Sequence, residues 1–171
     1  PGTKTIFDVF VKHGYSAPNI SYITNIPNFF NLGLSATEKH SGTSDDQPGI
    51  ELFNWLSKNR EKKFIAWYHY RFLHLPYDPT SNIFLDNQME SMIDKENIRK
   101  IQKQVIIPKG SLTFTTEERK VVNALYDAQL RDFDNFLKKL SEHMARLKLD
   151  QNTLLVISAD HGEELFEHGF L

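Results

Sequence analysis

The longest regular pattern in the chain is an apolar stripe. Val122, Tyr126, Leu130, Phe133, Leu137, Leu140, Met144 and Leu147 recur at steps of three and four, the period of one helical face. The spacing predicts a helix over Glu117–Leu147. Thr115 and Glu118, three apart, supply a capping box at its start. Shorter helices are predicted over Thr3–His13 and Ile50–Arg60. In the first, Ile6, Val9, Phe10 and His13 share a face and Gly14 is the stop. In the second, Leu52, Phe53 and Leu56 form the apolar set.

Other stretches have strand character. Within Lys63–Phe72, "FIAWYHYRF" is dense in aromatic and apolar residues and reads as an interior strand of a covered sheet. Thr153–Ala159, "TLLVISA", reads as a second buried strand, and Asn19–Thr24 as a short third one. Asn25–Gly49 is rich in Gly, Ser and Asn and reads as a long loop; Asn82–Gly110 is partly helical. Strand, loop, long helix, strand is the grammar of an α/β fold with a mostly parallel sheet flanked by helices. Ligands in such sheets gather at the carboxyl ends of the strands. One predicted strand ends near His74, the other at Asp160-His161, so both polar clusters are expected on one rim.

Composition narrows this picture. The 171 residues are 40% apolar and 25% charged, the profile of one globular domain with one core. A net charge of -2 gives no reason to expect a nucleic acid or an anionic membrane as partner. No apolar run approaches the roughly 20 residues of a membrane helix. The absence of cysteine excludes disulfides, thiolate metal sites and a cysteine nucleophile within these residues. The chain opens at Pro1 without Met and stops two residues after Gly169, so it reads as a single partial domain, truncated at both ends. Asn19-Ile20-Ser21 fits a glycosylation sequon, a tripeptide common by chance.

Asp160-His161-Gly162 offers the first candidate chemistry. Carboxylate oxygen suits a hard divalent cation, and imidazole extends the range to zinc, manganese or iron. The competing reading is a helix start, with Asp160 as cap and Glu163 and Glu164 in the first turn. His168 follows His161 by seven residues, about two helical turns, and can reach the same pocket; beside Glu167 its ordinary role is a surface ion pair. His74-Leu75-Pro76-Tyr77-Asp78-Pro79 is a loop stiffened by two prolines. It suits either a simple turn or an imidazole held against an anionic oxygen. Asp45-Asp46 sits in a solvated loop with no strand to fix it. Asp127, Asp132 and Asp134 are expected at solvent or flank positions of the long helix. His69 is expected as a packed strand residue.

Taken together, these pieces resemble the sulfatase family of the alkaline phosphatase superfamily. "HLPYDP" looks like the family's His-x-Pro-Tyr-x-Pro element, and "ALYDAQLRDFDNFLKKL" its Tyr-Asp-Ala helix. "NTLLVISADHGEELFEHG" is similar to its Asp-His-Gly-Glu block, and "TIFDVFVKHGYSAPNIS" fits the helix-Gly-Tyr-strand unit that precedes them. The resemblance implies a sulfuric-ester hydrolase using a divalent metal. Calcium is the first choice and zinc or manganese the alternatives. It implies Asp160 and His161 as metal ligands, His74 as a catalytic and substrate-binding contact to the sulfate or phosphate group, and His168 as a second catalytic imidazole near the substrate. It also implies an alkaline-phosphatase-like fold and an extracytoplasmic setting.

The departures from the family are specific. Its nucleophile lies in a Cys/Ser-x-Pro-x-Arg motif and is oxidised to formylglycine. Here the nearest Ser-x-Pro, Ser16-Ala17-Pro18, is followed by Asn19 and Ile20 with no Arg. The paired aspartates of the family's first metal-binding strand are also missing. Both are expected upstream, so the segment alone is expected to be inactive. The alternatives are a phosphotransferase or phosphodiesterase of the same superfamily, of phosphoglycerol or phosphoethanolamine type, or a non-catalytic remnant of the fold. Sheet edges opened by a cut domain invite self-association.

Overall fold

In the computed structural model, residues 4–18, 20, 49–104, 106–169 and 171 are described. They group into two compact units: Pro1–Tyr70 with Leu140–Thr153, and Arg71–Lys139 with Leu154–Leu171. The predicted loop over Asn25–Gly49, all but its last residue, lies outside the described residues. So do Asp45-Asp46 and most of the predicted strand Asn19–Thr24.

In the first unit, Thr5 starts helix α1 (Ile6–Lys12) with a reciprocal cap. Its hydroxyl accepts from the Asp8 amide at 3.3 Å, and the Asp8 carboxylate accepts from the Thr5 amide at 2.7 Å. Two otherwise orphaned helix donors are thereby satisfied. Phe7 is the buried residue of α1 and packs edge-on against Trp67 at 6.4 Å between ring centroids. Helix α2 (Ile50–Asn59) starts at Gly49, whose φ of 86° lies in the left-handed region that favours glycine. It buries Leu52, Trp55 and Leu56, and Trp55 meets Phe64 edge-on at 5.2 Å.

The second unit holds two short helices, α3 (Asn87–Glu90) and α4 (Glu96–Ile101), within the stretch expected to be partly helical. Its core joins Tyr77, Met92, Ile98, Ile101, Phe114, Val121, Val122 and Leu125. Burying each large side chain contributes about 1.5–3 kcal/mol.

Helix α5 (Thr116–Arg146) spans the strongest periodic stretch. Its predicted capping box is present. The Glu118 amide donates to Thr115 Oγ1 at 3.2 Å, and the Thr115 amide donates to Glu118 Oε2 at 2.7 Å. The buried face is turned from the predicted stripe. Val122, Leu140 and Met144 are buried as expected, but Leu130 is exposed, while Val121, Leu125, Ala128, Gln129 and Phe136 are buried. Several rows of α5 are apolar enough to pack, and tertiary partners select among them.

The expected α/β architecture, a mostly parallel sheet flanked by helices, is corrected by the structure. Among the described residues helix takes 42% and strand 3%, and no sheet forms. Within residues 63–70 the described pairing is by isolated bridge residues alone, Phe64 and Trp67 here with Ser16 and Pro18 earlier in the chain, and Ser16 and Phe64 form a parallel bridge. There the Ser16 amide donates to the Lys63 carbonyl and the Ile65 amide to the Ser16 carbonyl, both at 2.9 Å. Residues 153–159 carry no ladder among the described residues. Leu154 is 87% and Val156 74% exposed, so this segment is not the buried strand its composition suggested. Apolar, β-branched composition makes a segment fit for a sheet; it cannot supply the neighbouring strand, which must come from elsewhere in the chain.

Candidate active site

Two segments far apart in sequence meet in the second unit. One is the loop from His74 to Thr80, the other the turn Asp160-His161-Gly162 with Glu163. Their imidazoles approach, the His74 and His161 ring centroids lying 6.5 Å apart with the planes at 80°. The convergence inferred from a sheet rim therefore exists without the sheet.

Helix α5 fixes the loop. Gln129 Nε2 donates to the Pro76 carbonyl at 2.9 Å. Asp132 accepts twice from Thr80, from its amide at 2.7 Å and its hydroxyl at 2.5 Å. The Tyr77 amide donates to the Ile101 carbonyl at 2.8 Å. The Tyr77 ring is fully buried and meets Tyr126 edge-on at 5.5 Å. Tyr126, Gln129 and Asp132 stand at three-residue steps, so one side of α5 carries the loop. Asp132 had been expected at a solvent or flank position; its partner is Thr80. The sequence signal was a polar pair in register with Tyr126, legible only once the loop was known to cross there. Because the Pro76 oxygen can only accept, the Gln129 amide must turn its nitrogen toward it. This leaves Gln129 Oε1 buried without a partner among the described residues.

The turn is tied to the loop through Glu163. Tyr77 donates its hydroxyl proton to Glu163 Oε2 at 3.0 Å. Burial first, and then the Glu163 charge, hold the Tyr77 phenol far above its ordinary range, so it remains a neutral donor. The same two causes raise Tyr126.

The protonation geometry of the histidines suits ligation. His161 Nδ1 lies 2.8 Å from the Gly162 carbonyl and His74 Nδ1 3.1 Å from the Leu75 carbonyl. A carbonyl requires a donor, which places the proton of each neutral ring on Nδ1 and leaves Nε2 with a lone pair. His161 Nε2 stands 3.7 Å from Asp160 Oδ2, too long for a hydrogen bond, with both side chains facing solvent. The Gly162 carbonyl, and then the Asp160 carboxylate, raise the His161 pKa. His168 is paired with Glu164, Nδ1 to Oε2 at 2.6 Å, and its amide donates to Glu164 Oε1 at 2.8 Å. That hydrogen bond raises His168 and lowers Glu164. The partner sequence spacing had suggested, Glu167, instead accepts from the Leu165 amide at 2.7 Å.

As a donor set, Asp160 and His161 fit a divalent cation: one hard oxygen ligand and one imidazole with its lone pair available. Among the described residues, no group of three potential ligands stands together, so these two account for part of a coordination shell.

The first unit holds a serine–histidine pair that does not form a nucleophilic dyad. Ser57 Oγ lies 3.0 Å from His143 Nε2. Arg146 donates to His143 Nδ1 at 2.9 Å, so the proton of the neutral ring sits on Nε2, which faces the Phe53 carbonyl at 3.1 Å. Ser57 also gives its proton to that carbonyl, at 2.8 Å. With no lone pair turned to Ser57, His143 ties α2 to the end of α5 and cannot act as its base.

The sulfatase family model matches residues 2–171. The chain belongs to the sulfatase family. Comparisons with curated proteins and with solved structures returned no match. Membership makes the coarse activity that of a sulfatase-type hydrolase and implies an ester substrate. No helix among the described residues is long and apolar enough to cross a membrane.

Proposed function

We propose that this sulfatase-family chain contributes part of a divalent-metal site for hydrolysis of a sulfuric ester. Asp160 and His161 hold the cation, calcium first among the candidates, through carboxylate oxygen and Nε2. His74 faces the ester's anionic oxygens, and His168, paired with Glu164, lies beside the substrate. The observation that carries this reading is the approach of the His74 and His161 rings to 6.5 Å across a long sequence separation. When bound, the cation neutralises charge on the transferred group. A protonated His74 donates to the same oxygens. The family's Cys/Ser-x-Pro-x-Arg nucleophile motif does not occur in these 171 residues.

Calcium titration by calorimetry, together with turnover of an aryl sulfate and an aryl phosphate, tests the reading in the protein that carries this chain. Asp160→Ala is expected to abolish metal binding. His74→Ala is expected to leave the metal in place and lower turnover about 10²–10⁴-fold. Unchanged calcium affinity in Asp160→Ala would overturn the ligand assignment. Preference for the phosphate ester would transfer the same site to phosphoryl chemistry.

A further inference from the structure

We propose that Tyr77, through its hydrogen bond to Glu163, is the positioning residue that holds the His74 loop and the Asp160–His161 turn in one arrangement. The inference rests on the metal-site reading above for its consequence, but its geometry stands separately.

The two ends of this bond differ in character. The Tyr77 hydroxyl belongs to the core: its ring is fully buried in one cluster with Ile98, Ile101 and Val122, its amide is bonded to Ile101, and it meets Tyr126 edge-on. The neighbouring Pro76 carbonyl is held by Gln129. The phenol oxygen is therefore a fixed point. The Asp160-His161 turn is the reverse, with side chains 73% and 62% exposed. Such a turn gains little order from packing. Glu163 follows two residues later, and its carboxylate accepts the Tyr77 proton at 3.0 Å. One charge-assisted bond thus connects the exposed ligand pair to the core beneath His74. Partners one step removed from a metal ligand orient it in this way, and their removal costs about 10–100-fold in metal affinity.

The test uses variants that alter the bond with little change in volume. Tyr77→Phe removes the hydroxyl and keeps the ring. Glu163→Ala removes the acceptor at a partly exposed position, which keeps the test available if Tyr77→Phe does not fold. Glu163→Gln retains an amide oxygen that can still accept. Two readouts are followed: the nuclear Overhauser cross-peak between the His74 and His161 rings without metal, and the calcium dissociation constant. In Tyr77→Phe and Glu163→Ala the cross-peak is expected to fall by about half or more and calcium affinity by about tenfold. Glu163→Gln is expected to restore most of both. A lowered melting temperature with an unchanged cross-peak in both disrupting variants would reduce the bond to a structural contact and overturn the proposal. Failure of the wild-type protein to bind calcium would instead overturn the metal reading, and the cross-peak would still decide the positioning role.

Discussion

Asp132 holds the far end of the His74 loop, and removing it gives a measurable local effect. Its carboxylate accepts from the Thr80 amide at 2.7 Å and the Thr80 hydroxyl at 2.5 Å. Hydrogen bonds to charged groups contribute about 1.5–3 kcal/mol where buried. Thr80 is exposed and Asp132 only half-buried, so solvent competition reduces the pair to about 1–2 kcal/mol in total. That energy corresponds to a factor of about 5–30 in the closed-to-open ratio of the loop. Amide hydrogen exchange at Thr80 reads the ratio directly. Asp132→Ala is expected to accelerate exchange at Thr80 by that factor. Asp132→Asn, which keeps one acceptor oxygen, is expected to lose about half the free energy. Asp134 is a control on the same helix: its contact is an exposed ion pair with Arg131 at 3.4 Å, of small value, and Asp134→Ala should leave Thr80 unchanged. Equal Thr80 exchange in wild type and Asp132→Ala would refute the claim that α5 pins this loop.

Thr115→Ala removes the reciprocal cap of α5 and is expected to destabilise the protein by about 1 kcal/mol, read as a shift in urea midpoint; an unchanged midpoint would count against the cap. Leu125→Ala empties a fully buried position in the second unit's core and should cost about 2–5 kcal/mol; under 1 kcal/mol by the same measurement would place Leu125 outside the core. The Glu164–His168 pair has a pH window. Glu164 is lowered from 4.5, so its contribution is present above that value and fades as pH falls through the folded pKa. His168 is raised from 6.5, so its contribution is present below that value and fades as pH rises through the folded pKa. The pair is therefore strongest between about 4.5 and 6.5. An NMR titration should place the His168 midpoint above that of the denatured chain, and Glu164→Gln should return it.

Local chemistry was legible in the sequence. The 3.6-residue period located α5, and Thr115 with Glu118 marked its start, because helix signals act over one to a few turns. Gly14 ended α1 for the same reason, taking up a φ of 81°. The identity of the candidate site residues was also legible, since His74 and Asp160-His161 lie in short motifs whose residue types announce their chemistry.

What only the tertiary structure decided was who meets whom. Strand composition at residues 64–72 and 153–159 promised a sheet, yet pairing is non-local and no ladder forms there among the described residues. The buried face of α5 turned toward Leu125 and Gln129 because its partners lie on that side. Asp132 was expected at a solvent or flank position of α5, and only the folded loop brings Thr80 to it. Tyr77 and Glu163, 86 residues apart, carry no joint signal in the sequence, because a hydrogen bond between distant segments exists only after the chain has placed both its ends.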